Sequence, residues 1–183
     1  MSAVVDVLVP SRGALLRMVL LALVAIIAVA LEAAPTGLHP YALPSPDLLA
    51  LAVAVFAVRR PDSVPIMLIF ALGLMRDLMT DLPVGIGTLS LVLYTEALRS
   101  AAPLLARGSL LREWLAVAAA LFAMMTMQYV LVLLTFSQPP YFLTLGRQWA
   151  LTAAAWPIVF FLLRWGCGIR PAPADGREPR HGT

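Results

Sequence analysis

No position from Met18 to Leu31 carries a charge, and the same is true from Trp114 to Gly146 and from Gln148 to Leu163. With their apolar flanks these runs are long enough to cross a hydrocarbon core of about 30 Å as helices. They are continuously apolar and lack the alternation of transmembrane strands, so helices are the spanning form open to them. Arginines and prolines punctuate the rest, and the pattern predicts helices over about 14–33, 46–60, 62–78, 83–101, 110–136 and 142–165. An all-α polytopic bundle of six transmembrane helices follows. Residues 1–13 form a short leading segment, and the polar tail from 166 to 183, ending in "RPAPADGREPRHGT", is expected to be disordered.

Four details qualify the pattern. Predicted helix 1 ends in "VALEAAP", which imitates a secretory signal with small residues at Ala28 to Ala30, but everything after it is also apolar, so it is read as an uncleaved span. Predicted helix 2, from Pro46 to Arg60, has only 15 residues. That is about 22 Å of helix, so it must thin the membrane, lie beside protein or be extended at its entry. Predicted helix 3 opens at Pro61-Asp62, and Pro157 is expected to kink predicted helix 6.

Composition agrees with the pattern. Of 183 residues, 61% are hydrophobic, and a mean hydropathy of +0.90 leaves more apolar surface than a soluble core can hide. All 13 basic residues are arginines. With the N-terminus in the cytoplasm, eleven of them fall inside and only Arg76 and Arg147 outside, a strong positive-inside bias that puts both termini in the cytoplasm of a bacterial inner membrane. Topology therefore accounts for the pI of 9.6, and no nucleic-acid site is inferred. The single cysteine, Cys167, has no partner for an internal disulfide.

Candidate chemistry is concentrated in "GLMRDLMTDLPVGIGTLSLVLYTE", Gly73 to Glu96. Asp47 and Asp62 suit the first turns of helices 2 and 3, and Asp81 suits a cap on helix 4. Asp77 has no such local reason, because it lies at the C-terminal end of a helix, where the dipole disfavours an anion. Gly73 lies one turn earlier on the same face, a place for close helix approach. Along helix 4, Gly85, Thr88, Val92, Thr95 or Glu96, and Arg99 make a small and polar stripe, within which Glu96 reaches Arg99 at i+3. Gln128 ends a row of mostly small residues on helix 5 and is expected to hydrogen-bond between helices. No histidine, cysteine or carboxylate spacing resembles a metal site, and no nucleophile with a base is present, so neither an enzyme nor a cofactor is expected.

Gly73, Asp77 and Pro83-Val84-Gly85 match the pattern G-x-x-x-D, a polar turn, then P-x-G, and in this the chain resembles MreD, the rod shape-determining membrane protein family. "SPDLLALAVAVFAVRRPD", Ser45 to Asp62, is similar to the second-helix region of alphaproteobacterial members. The resemblance implies a non-catalytic part of the elongation machinery that works with MreC, and indirectly with MreB, RodZ, RodA and its transpeptidase, in the lipid bilayer. It also implies a fold similar to the membrane substrate-binding subunits of energy-coupling-factor transporters. The alternative function is accordingly a substrate-binding subunit for a vitamin-type molecule. Under either reading Gly73, Asp77, Pro83, Gly85, Glu96, Arg99 and Gln128 are the candidate partner-binding or structural residues.

Overall fold

The computed structural model describes residues 12–33, 45–80, 83–105, 108–135 and 142–166. Asp81, Cys167 and the tail lie outside the described residues. Six α-helices are present among those described: α1 (Arg12–Ala33), α2 (Leu48–Arg59), α3 (Ile66–Met79), α4 (Ile86–Leu105), α5 (Leu110–Leu134) and α6 (Phe142–Gly166). Two of them contain stretches long and apolar enough to cross a membrane: Gly13–Glu32, with mean hydropathy 2.8, and Leu110–Leu134, with mean hydropathy 2.1.

The distribution of side chains is that of a protein solvated by lipid. Leu16, Ile27, Leu104, Leu134, Leu143 and Leu162 stand on the outside, while Asp47, Asp77, Ser90, Thr95, Glu113 and Thr152 are buried. Apolar surface costs nothing against hydrocarbon, whereas each polar group must find a partner inside the bundle.

The short helix α2 is the axis of the bundle. Every residue from Leu49 to Val58 is buried, with α1, α4 and α6 packed around it. Its 12 residues reach only about 18 Å, and because its surroundings are protein, that length is no obstacle. α5 and α6 are joined by reciprocal indoles: Trp114 Nε1 donates to the Ala153 carbonyl at 2.8 Å, and Trp149 Nε1 to the Ala118 carbonyl at 2.9 Å. Each tryptophan thus satisfies its one donor while packing its ring between helices.

Two helix starts differ from expectation. Pro61–Ser63 is a separate 3-10 turn, and α3 begins only at Ile66. Pro65 holds Val64 in a non-helical conformation at φ −124° and ψ 65°, as a residue before proline tends to be held. Asp62 therefore does not sit in the first turn of α3. α4 begins at Ile86 and not at Pro83, because Gly85 takes φ +101°, a conformation outside the helix that only glycine adopts readily. α4 continues through Pro103 to Leu105, and α6 continues through Pro157 to Gly166.

Candidate functional site

The start of α4 lacks a side chain where a cap is needed. Gly85 immediately precedes the first helical residue, and a residue at that place ordinarily turns an oxygen onto the amides of the first turn. Asp77 supplies that oxygen from another helix. Its Oδ2 accepts from the Gly85 amide at 2.8 Å, the Thr88 amide at 3.0 Å and the Thr88 hydroxyl at 2.8 Å. The carboxylate is unfavourable beside the negative end of α3 but meets the positive end of α4, and it is 2% exposed.

Glycines make room for this junction. A Cβ on Gly73 would come within 2.9 Å of the Thr88 Cα, and a Cβ on Gly87 would overlap Asp77 Oδ1. Pro83 sits in the turn before Gly85, and its carbonyl accepts from the Ile86 amide at 3.2 Å.

Arg76, next to Asp77, turns toward α2. Its Nη2 lies 2.8 Å from Asp47 Oδ2 and its Nε 3.6 Å from Glu32 Oε2. Asp47 Oδ1 meanwhile accepts from the Ala50 amide at 2.8 Å and caps α2, and Glu32 Oε1 accepts from the Leu49 amide at 3.1 Å. Thr152 Oγ1 accepts from the Asp47 amide at 3.0 Å and donates to the Gln148 carbonyl at 2.7 Å, tying α6 to the same point. The ends of α1, α2 and α3 are thus held by one guanidinium between two carboxylates. The charges cost desolvation, and their pairing with backbone donors is what makes burial tolerable.

The candidate residues, drawn from stripes on three helices, fall into separate places. Gly73, Asp77, Pro83 and Gly85 meet at the α3–α4 junction. Glu96 and Arg99 pair at 2.7 Å on a half-exposed part of α4, where their side chains are 44% and 34% exposed. Gln128 Nε2 is buried with no hydrogen-bond partner among the described residues. At the far end of the bundle Glu113 forms an ion pair with Arg59, whose guanidinium lies 5.1 Å from the centre of the Phe160 ring.

Glu32, Glu113 and Thr152 went unnoticed in the chain. Glu32 had a usable signal, a lone carboxylate closing a long uncharged run, which in a membrane calls for a partner. Thr152 had none, since one hydroxyl in an apolar helix ordinarily bonds back to its own backbone.

The family model described as rod shape-determining protein MreD matches residues 12–165. The chain belongs to the MreD family. It is accordingly a membrane protein with a role in determining rod shape, and the Asp77 junction and the Arg76 cluster both lie within the matched region. Neither a curated protein nor a solved structure matches it. Among the described residues no group of three His, Cys, Asp or Glu side chains is placed to hold a metal ion.

Proposed function

We propose that this MreD-family chain is a non-catalytic scaffold of the bacterial cytoplasmic membrane that binds the transmembrane helix of MreC. Through MreC it helps couple the peptidoglycan synthases, RodA and its transpeptidase, to MreB and RodZ. The six helices serve as six spans with both termini in the cytoplasm, in an arrangement similar to the membrane subunits of energy-coupling-factor transporters. Gly73, Asp77, Pro83 and Gly85 keep α3 and α4 in register, and Glu96, Arg99 and Gln128 belong to the partner-facing side.

One observation carries the reading. Among the described ion pairs Glu96–Arg99 is the half-exposed one, the others being turned inward, and Ala97, the residue after Glu96, lines with Ala120 and Ala123 an outward-facing groove of about 140 Å³ between α4 and α5. A charged pair facing lipid is costly, while small residues allow another helix to approach closely. A transmembrane helix seated there would cover both.

The test is co-purification of MreC from a rod-shaped host. Ala97→Leu with Ala123→Leu fills the groove without touching the Asp77 junction and should abolish MreC recovery at unchanged accumulation; recovery equal to wild type would refute the assignment. Depleting the protein should round the cells. Unchanged shape with impaired vitamin uptake would favour the transporter alternative.

A further inference from the structure

The end of the bundle away from Asp47 gathers cations. Arg17, on the second turn of α1, donates from Nε to the hydroxyl of buried Ser63 at 2.8 Å, which holds its guanidinium against the 3-10 turn. Arg60 closes α2, its amide donating to the Phe56 carbonyl at 2.7 Å, and its side-chain Nε is buried without a hydrogen-bond partner among the described residues. Ser63 links the two: its hydroxyl accepts from Arg17 while its amide donates to the Arg60 carbonyl at 2.9 Å, which brings the Arg17 guanidinium to the end of α2.

Among the described residues no carboxylate of this end makes a salt bridge to either arginine. Glu113 is engaged by Arg59, and among the described residues no salt bridge joins Asp62 to Arg17 or Arg60. Three residues beyond Ser63, α3 starts at Ile66 behind Pro65, which makes no side-chain cap bond to the first turn. Its amide end therefore adds partial positive charge beside the two arginines. Leu16, Ile66 and Met67, exposed next to these groups, present apolar surface alongside the charge.

We infer that Arg17 and Arg60, with the uncapped start of α3, form a binding site for a phosphate group, of the kind carried by an anionic phospholipid headgroup or by free phosphate. Planar guanidinium forks match phosphate oxygens in pairs, and the flanking apolar side chains suit acyl chains.

The test is native mass spectrometry of the full-length protein in mild detergent with phosphatidylglycerol, phosphatidylcholine or inorganic phosphate added at equal concentration. Wild type should retain phosphatidylglycerol over phosphatidylcholine, and Arg17→Gln with Arg60→Gln should weaken that retention about thirtyfold. Arg17→Lys with Arg60→Lys keeps the charge, safeguards folding and should weaken it less. Arg147→Gln, an equal charge change per residue at the other end, should have no effect. Displacement of the lipid by inorganic phosphate would support the site and name the soluble ion as its source. Equal retention of both lipids, wild-type retention in both arginine-pair variants, or an equal loss in Arg147→Gln would overturn the inference.

Discussion

Asp77 Oδ2 lies 3.0 Å from the Thr88 amide and 2.8 Å from the Thr88 hydroxyl, so a carboxylate at the end of one helix closes the start of the next. The bond pattern is that of an N-cap, but the cap is donated across a junction by a residue eleven positions earlier. Because Gly85 has no side chain, nothing local replaces it. The junction fixes the angle between α3 and α4, and with it the position of Arg76 against α2.

Asp77→Ala should therefore destabilise the bundle by about 3 kcal/mol or more, since it strips a charged acceptor from buried donors. Asp77→Asn retains one acceptor oxygen of the same reach and should fall between the alanine variant and wild type. Thermal unfolding in detergent measures the order. An alanine variant as stable as wild type would show that water satisfies the α4 amides.

Gly87→Ala should act through the same carboxylate. The new methyl would occupy the place of Asp77 Oδ1, pushing the carboxylate off the α4 amides, and overpacking of this kind costs about 1–3 kcal/mol. Combining Gly87→Ala with Asp77→Ala should then cost much less than the sum of the two single changes, because the group that clashes is gone. Additive losses would separate the glycine from the aspartate.

The helices, and the need of Asp77 for a partner, were legible along the chain, and the reason is that both signals are local. Uncharged runs announce apolar helices, and an anion at the wrong end of a helix announces a missing partner. The cluster around Arg76 was not legible, because its partners Glu32, Asp47 and Thr152 come from three other helices, and each has an ordinary local role as helix end, cap or back-bonded hydroxyl. The shift in the start of α3 had a visible cause in Pro65, yet Pro61-Asp62 offered an equally good helix start. Pro65 decides between them, because it disfavours a helical Val64 and a helix begun at Pro61 would have to run through it.

Arg76→Ala should be among the most damaging single substitutions in the bundle. It leaves Asp47, 1% exposed, without its cation, and breaking one side of a buried pair costs about 3–5 kcal/mol. Adding Asp47→Asn should recover part of the loss, since the amide oxygen still accepts from Ala50 while the unpaired charge is removed. Protein accumulation and unfolding midpoint report both changes. No recovery in the double variant would mean that Arg76 acts chiefly through Glu32.

Arg76 also bears on the orientation of the chain in the membrane. It is one of only two arginines assigned to the outer side, and it is consumed by Asp47 and Glu32, so it is not a free loop charge. On the proposed topology Arg147, which is exposed, is then the one outer arginine without a salt bridge among the described residues, and the positive-inside asymmetry of that topology is sharper. Alkaline phosphatase fused after Arg170 should therefore be inactive, and the same reporter inserted between Phe136 and Tyr141 should be active. Strong activity after Arg170 would require an odd number of spans or a reversed chain. A reversed chain, but not the loss of a later span, would move the Arg17 and Arg60 end to the other leaflet.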